Sequence, residues 1–132
     1  MVNDNQAQQP FLSIVIPAYN EETRLPGSLQ TIADFVAQKS YSVEVLIVNN
    51  NSRDRTGEII EEYAKRFPFV RGLFERSQGK GAAVRTGMLA ARGEYRFICD
   101  ADLSMPIGEI DKFLPPHQAG YDIAIASREA PG

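Results

Sequence analysis

Leu12-Ser13-Ile14-Val15-Ile16, followed by Pro17-Ala18-Tyr19-Asn20-Glu21-Glu22, is the stretch that indicates the fold most clearly. A nearly continuous apolar run of strand length is typical of a parallel strand that is covered on both faces. Four more apolar runs of this length follow, at 43–48, 70–74, 95–99 and 123–126. The sequence therefore predicts five strands, most of them buried.

Helical patterns lie between these strands. One helix face is predicted from apolar residues at i, i+3, i+4 and i+7, namely Leu29, Ile32, Ala33 and Val36. A second pattern covers 59–64 behind Ser52, a plausible N-cap region, and a third covers 82–91 and ends before Gly93. Alternating strands and helices predict a Rossmann-like α/β layer, with mainly parallel strands and helices on both faces.

Composition limits the class of protein. The chain has 132 residues, enough for one domain, and we expect a flexible start at 1–10 and a single α/β domain at 11–132. Hydrophobic residues make up 43% and charged residues 23%, which are values of a folded globular protein. A net charge of -3 gives no broad cationic field, so nucleic acid is not expected as a partner.

The cysteine content and the hydropathy pattern bear on location. Cys99, the one cysteine, falls in an apolar run, so a buried thiol and a reducing compartment are expected. No uncharged apolar stretch reaches the roughly 18 to 20 residues that span a bilayer. We therefore predict a cytoplasmic protein, at the cytoplasmic face of a membrane if a longer protein contains this chain.

Three polar segments follow predicted strands directly, at 17–22, 49–54 and 100–102. Ligands of open α/β sheets bind outside the carboxyl ends of the strands. Asp100-Ala101-Asp102 places two carboxylates at such an end, where they can hold a divalent cation and the phosphates that it neutralises. This predicts a site for a nucleoside diphosphate, whereas a solvated turn with a helix cap is the alternative reading.

The other segments support that site. Pro17 is expected to stop the strand ladder, so that the backbone near Tyr19 turns outward to meet a base and ribose. Asn49 and Asn51 suit a tight turn and could also meet a base edge. Gln78-Gly79-Lys80-Gly81 precedes a helix and could face an anion, although a solvated lysine loop is also consistent with it. Its spacing is not that of a Walker A loop, which argues against an NTPase.

Four ordered blocks together resemble family 2 glycosyltransferases, which have the GT-A fold. The blocks extend over most of the chain and read Ser13-Ile14-Val15-Ile16-Pro17-Ala18-Tyr19-Asn20-Glu21-Glu22, Val48-Asn49-Asn50-Asn51-Ser52-Arg53-Asp54-Arg55-Thr56, Gly79-Lys80-Gly81-Ala82-Ala83-Val84-Arg85-Thr86-Gly87 and Asp100-Ala101-Asp102-Leu103-Ser104. The last two, with Ser127-Arg128, are most similar to the branch of dolichyl- and polyprenyl-phosphate glucosyl- and mannosyltransferases.

The resemblance implies roles for individual residues. Asp102 would ligate Mg²⁺ or Mn²⁺ and serve as the catalytic residue, and Asp100 would hold the ribose or assist the metal. Asn49 would contact the base, and Lys80 would lie near the diphosphate. The full set of implied donor-binding residues is Pro17, Ala18, Tyr19, Glu21, Asn49, Lys80, Asp100, Ala101, Asp102 and Arg128.

The chain departs from the family in two ways. The family usually carries Asp-Asp-Gly-Ser where this chain has Asn49-Asn50-Asn51-Ser52, which leaves the base preference open. The chain also stops at Gly132, before the part that supplies most of the acceptor site in the family. We therefore expect a donor-binding portion that is inactive or weakly active alone, with an exposed sheet edge through which copies could associate.

The expected function is transfer of a sugar, with inversion, from UDP-glucose or GDP-mannose to a polyprenyl or dolichyl phosphate. We find no convincing general base, and a phosphate acceptor needs none because it is already ionised near neutral pH. The alternatives are a non-catalytic nucleotide-sugar-binding fragment and, less favoured, a sugar-phosphate nucleotidyltransferase. The latter typically has a glycine-rich basic loop after the first strand, where this chain has 17–21.

Overall fold

Strands and helices alternate along the chain, as the sequence predicts. The structure is a computed structural model that describes residues 9–103 and 106–114. Its elements are β1 (Leu12–Ala18), α1 (Leu25–Ala37), β2 (Val43–Asn49), α2 (Thr56–Arg66), β3 (Val70–Phe74), α3 (Lys80–Ala90), β4 (Tyr95–Ile98) and a 3₁₀ helix (Ile107–Phe113). The predicted strand at 123–126 lies outside the described residues.

The four strands form one parallel sheet in the order β3-β2-β1-β4. β1 is central, with Ile16 opposite Ile47 of β2 and Leu12 opposite Tyr95 of β4. The order changes direction between β1 and β4, and the carboxyl ends of these neighbouring strands lie at the same edge. A crevice for a ligand is expected at such a point of a doubly wound sheet.

Apolar side chains cover both faces of the sheet. On one face, Ile14, Ile16, Val45 and Ile47 pack with α1, α2 and the 3₁₀ helix. On the other face, Val15, Leu46 and Val48 pack with Ala83 of α3. Successive side chains of a strand point to opposite faces, so continuous apolar runs require this double cover. The prediction of a mainly parallel sheet with helices on both faces is confirmed.

Cys99 is buried, as predicted. It is 5% exposed, and burial raises the pKa of its thiol to about 12. A thiol of this kind stays protonated at neutral pH and is unreactive. Among the described residues, no helix combines the length and the apolarity needed to cross a bilayer.

Pro17 does not end the pairing of β1 with β2, which continues to Ala18 opposite Asn49, whereas the pairing of β1 with β4 ends at Val15. The carbonyl of Val15 accepts a hydrogen bond from Cys99 N, on the β4 side, whereas that of Ala18 accepts one from Asn50 N, on the β2 side. Alternate residues face opposite neighbours, so Pro17 faces the β4 side beyond the end of that pairing. The missing N–H of proline therefore coincides with the end of the β1–β4 ladder and leaves the β1–β2 ladder intact.

Ser52 does not cap α2, which begins at Thr56 with Arg55 in the N-cap position. Its hydroxyl instead accepts a hydrogen bond from the backbone N–H of Asn20 at 3.0 Å. Glu21 N–H likewise donates to Thr56 Oγ1 at 2.8 Å. The loops after β1 and β2 are therefore hydrogen-bonded to each other, which fixes one side of the crevice.

Gly87 allows α3 to pack closely on the sheet. A Cβ added there would collide with Val15 Cγ1 and lie 3.1 Å from Val48 Cγ2, whereas a Cβ at Gly81 would meet open space. We expect Gly87→Ala to lower the free energy of unfolding by about 1–3 kcal/mol through overpacking. Gly81→Ala, the control on the same helix, should raise it by up to about 1 kcal/mol. Urea denaturation measures both, and equal effects would contradict this packing.

Candidate functional site

A cavity of about 470 Å³ opens at the carboxyl ends of β1 and β4, beside the start of α3. This is the edge of the sheet where the sequence places the site. Its walls come from four separate segments of the chain. The lining residues are Pro17, Ala18, Tyr19, Glu21, Arg24, Asn50, Gln78, Gly79, Lys80, Asp100, Ala101 and Asp102.

The loop that carries the two aspartates is hydrogen-bonded to α1. Ser28, a buried residue of α1, donates a hydrogen bond from Oγ to the carbonyl of Ala101 at 2.5 Å. Leu103 N–H closes a turn onto the carbonyl of Asp100 at 2.9 Å. These bonds fix the backbone between Asp100 and Asp102. Both aspartates consequently line the cavity from its β4 side.

Cationic side chains face the carboxylates of the cavity. Lys80 Nζ lies 2.6 Å from Asp100 Oδ1. The guanidinium of Arg24 lies 2.8 Å from Glu21 Oε1 and 3.7 Å from Asp102 Oδ2. Positive and negative groups therefore alternate across the mouth, so an anionic ligand can meet two cations while a metal ion meets two carboxylates.

Glu21 is partly buried in this wall. Burial raises the pKa of its carboxyl above the ordinary value of 4.5, and the charges of Asp102 and Asp54 act in the same direction. Arg24 opposes the rise but does not cancel it. A raised pKa in the folded state means that the ionised carboxylate destabilises the fold above that pKa.

Glu21→Gln should therefore raise the melting temperature at pH 7.5, because glutamine is neutral in both states. The gain should shrink as the pH falls through the folded pKa, and it should vanish below the unfolded value of 4.5. Thermal melts at several pH values measure this, with the exposed α2 residue changed in Glu61→Gln as the control. A constant difference between Glu21→Gln and the unaltered chain at every pH would contradict the assignment.

The opposite wall is the start of α3. Gly79 precedes the helix with φ of 130°, a backbone conformation that favours glycine. Lys80 is the first residue of the helix, and it lines the crevice together with Gly79. Such an N-terminus attracts phosphate groups through its N–H donors and its dipole.

The three asparagines at 49–51 end β2 and begin the loop after it, and the structure gives each of them a different place. Asn49 Oδ1 accepts a hydrogen bond from Ser52 N–H at 3.0 Å, and the residue lines a different cavity, with Gly57 and Phe74. Asn50 lines the crevice described above. Asn51 takes φ of 59°, in agreement with the expected turn.

The crevice brings together most of the residues that the resemblance assigns to donor binding. They are Pro17, Ala18, Tyr19, Glu21, Lys80, Asp100, Ala101 and Asp102. Asn49 is not among them, and Arg128 lies outside the described residues. Arg24 and Asn50 also line the crevice, and Ser28 supports its wall. No sequence pattern predicts these three roles, because arginine at a helix start, asparagine in a turn and serine within a helix are ordinary.

The donor set fits a divalent cation that is shared with a ligand. Within residues 9–103 and 106–114, no three His, Cys, Asp or Glu side chains are grouped as a protein-only metal site. Mg²⁺, however, is commonly held by one or two carboxylates together with substrate phosphates and water. Asp100 and Asp102, on one turn at the cavity wall, meet that requirement.

Fold and crevice thus define an α/β protein whose site lies at the carboxyl ends of parallel strands. The family model of glycosyl transferase family 2 matches residues 13–132. The chain belongs to this family, as the sequence resemblance implied.

The curated relatives that this chain resembles belong to the polyprenyl-phosphate branch. The chain is 39% identical over 132 aligned residues to a dolichyl-phosphate beta-glucosyltransferase of Drosophila melanogaster, covering 89% of this chain and 40% of the relative. It is 36% identical over 115 residues to an undecaprenyl-phosphate 4-deoxy-4-formamido-L-arabinose transferase of Pseudomonas fluorescens, covering 86% and 34%. The chain thus spans well under half the length of these relatives.

Among solved structures, the fold is similar to a mannosyltransferase of Pyrobaculum calidifontis in complex with GDP-Man and Mn²⁺. The TM-score is 0.67 at 25% identity, and the match covers 82% of this chain and 33% of that one. The GT-A fold implied by the sequence is therefore confirmed.

Proposed function

We propose that this chain is the donor-binding part of a glycosyltransferase that moves a sugar from a nucleoside diphosphate sugar to a polyprenyl or dolichyl phosphate. The observation that supports it most is the crevice, where Lys80 and the start of α3 face Asp100 and Asp102. One wall suits a diphosphate and the other suits the cation that accompanies it. The family and the names of the relatives support the reaction class.

Three groups would hold the donor. Tyr19 is 45% exposed at the mouth of the crevice, where its ring can contact the base or ribose. Lys80 would exchange part of its interaction with Asp100 for the diphosphate oxygens. Arg24 adds a second positive charge on the opposite side.

Asp102, with help from Asp100, would hold Mg²⁺ or Mn²⁺ against the diphosphate. When bound, such a cation supplies Lewis-acid stabilisation of the negative charge on the leaving diphosphate. Asp102 and Asp100 would hold it from a turn whose Ala101 carbonyl accepts a hydrogen bond from Ser28 Oγ. The Mn²⁺ in the mannosyltransferase complex supports this choice of metal.

The acceptor would attack the anomeric carbon from the face opposite the diphosphate, so the configuration inverts. The carbon–oxygen bond to the diphosphate breaks as the bond to the acceptor phosphate oxygen forms. A phosphate monoester is already ionised near neutral pH, so this attack requires no general base. UDP-glucose and GDP-mannose are the two donors to test.

The test is transfer of labelled sugar from UDP-glucose or GDP-mannose to polyprenyl phosphate, with this chain alone and joined to the remaining two thirds of a curated relative. The joined protein should form labelled glycolipid with one donor, and the chain alone should form little or none. Absence of product with every donor, from a joined protein that binds nucleotide, would contradict the proposed reaction.

A further inference from the structure

We infer that Leu103 is a positioning residue for the two aspartates of the crevice, and that it acts by holding the turn at 100–103 in one backbone form. Leu103 directly follows Asp102 and has φ of 49°, in the left-handed region. Its N–H donates to the carbonyl of Asp100 at 2.9 Å, which closes the turn. Its side chain is partly buried and packs against the apolar core cluster that contains Ile14 and Ile47.

Leucine is an unusual residue type in this conformation. Among residues 9–103 and 106–114, the other positions with positive φ carry Asn20, Asn51 and Gly79. Glycine has no Cβ, and asparagine adopts the left-handed region more readily than most residues, whereas leucine is sterically disfavoured there. Such a conformation persists only where the surrounding structure holds it.

Two contacts of Leu103 hold this conformation. The angle φ is the rotation about the bond between the backbone nitrogen and Cα, so it sets the direction of the side chain relative to the N–H of the same residue. At Leu103 the N–H is directed to Asp100 and the side chain to the core. A change of φ to the usual negative range would break the hydrogen bond or withdraw the side chain. Leu103 thereby links the end of the turn to the core.

The turn that Leu103 closes carries Asp100 and Asp102, which both line the crevice. Ser28 holds this turn at its middle, through the carbonyl of Ala101, and Leu103 holds it at its end. Under the proposed function, on which this step rests, the two carboxylates share one cation and must keep their relative position. A distortion at 103 should therefore weaken metal-dependent binding and leave the contacts near Tyr19 unchanged.

Variants at two leucines separate the backbone from the side chain. Leu103→Met keeps an unbranched apolar side chain of similar size, so it is the conservative variant. Leu103→Val stays apolar but adds a branch at Cβ, which makes a positive φ much less accessible. Leu73 is a partly buried leucine of β3, and Leu73→Val makes the same replacement in a strand. It serves as the matched control.

The first readout is hydrogen exchange of the backbone amide of residue 103, measured by NMR without ligand and corrected for the intrinsic rate of each residue type. Leu103→Val should exchange about tenfold faster, because the bond to the carbonyl of Asp100 opens more often. Leu103→Met and Leu73→Val should stay within about twofold of the original chain. Unchanged exchange in Leu103→Val would overturn the inference.

The second readout compares glycine with alanine, and it also serves if Leu103→Val fails to fold. Glycine accepts either sign of φ, so Leu103→Gly should have an unfolding equilibrium constant about threefold smaller than Leu103→Ala. At Leu73 the order should be the opposite, because glycine within a strand is less stable than alanine. Urea denaturation measures all four variants. The same order at both positions would overturn the inference.

The third readout is the Kd for UDP and GDP, with Mn²⁺ and with chelator. Leu103→Val should weaken the Mn²⁺-dependent binding about tenfold, as expected when a group that orients a metal ligand is lost, and should stay within about twofold in chelator. A general structural defect would weaken both. Equal Mn²⁺-dependent affinity in Leu103→Val and Leu103→Met would overturn the inference. If the original chain binds neither nucleotide, the proposed function fails, and exchange and denaturation still decide whether Leu103 holds the turn.

Discussion

Asp102→Asn should remove most of the metal-dependent binding of nucleoside diphosphates by this chain. Loss of a group that merely orients a metal ligand weakens affinity about 10–100-fold. Asp102 would be the ligand itself, so the Mn²⁺-dependent affinity for UDP or GDP should fall by at least about 100-fold. Calorimetric titration with Mn²⁺ and with chelator measures the difference.

The same variant should behave differently without metal. Asp102 is partly exposed in the crevice, and its negative charge repels a diphosphate that no cation neutralises. With chelator, Asp102→Asn should therefore bind nucleotide as well as the original chain or slightly better. Asp34→Asn, which removes an exposed carboxylate on α1, should match the original chain in both conditions. An equal response to Mn²⁺ in Asp102→Asn and the original chain would exclude Asp102 as a ligand.

Glu44→Ala should give the largest loss of stability, about 2–4 kcal/mol. The Glu44 side chain is 5% exposed on β2, at the end of the sheet away from the crevice. Its Oε2 accepts hydrogen bonds from Ser13 Oγ and Arg92 N–H, each at 2.6 Å. Its Oε1 lies 3.3 Å from Arg71 and 3.7 Å from Arg92.

The size of that loss depends on the hydrogen-bond donors that Glu44→Ala leaves without an acceptor. The buried hydroxyl of Ser13 and the part-buried N–H of Arg92 would lose their acceptor, and a buried donor left without a partner destabilises by about 1–3 kcal/mol. Arg71 and Arg92 side chains are 38% and 55% exposed, so they can turn toward water and limit the loss below that of a fully buried ion pair.

Urea denaturation should show a lower midpoint with an unchanged slope. Glu44→Gln keeps one acceptor oxygen and should lose less than Glu44→Ala. A loss below about 1 kcal/mol for Glu44→Ala would show that the cluster contributes little net stability. The measured slope must stay constant for the comparison to hold, because a changed slope indicates a different unfolded or native state.

The strands and the edge that carries the site could be predicted from sequence. Apolar runs such as 12–16 are local signals, and in a parallel sheet their carboxyl ends determine where polar loops converge. The sequence therefore places Asp100 and Lys80 in one crevice, where Lys80 Nζ lies 2.6 Å from Asp100 Oδ1. The roles of these residues in binding stay predictions.

Other contributors depend on packing that no local pattern contains. Ser28 is one polar position on a helix, and its bond to Ala101 exists because α1 passes beneath the turn after β4. Glu44 lies between Val43 and Val45, and its partners come from β1, β3 and the residues after α3.

Asn49 and Asn50 line different cavities for a related reason. Successive side chains of a strand point to opposite sides, so a shift of one residue decides which asparagine reaches the crevice. The sequence shows three asparagines in a row and does not say where the strand ends. The structure ends β2 at Asn49 and places Asn50 in the crevice.

The central claim is that this crevice binds a nucleoside diphosphate together with a divalent metal. The most direct measurement is the melting temperature of the chain with UDP, GDP, UDP-glucose and GDP-mannose, each with Mn²⁺ and with chelator. Ligand at 100 times its Kd stabilises by about 2.7 kcal/mol, which raises the melting temperature by several degrees. The account predicts a Mn²⁺-dependent rise with the nucleotides of one base, absent in Asp102→Asn; a cooperative melt that no nucleotide shifts would contradict it.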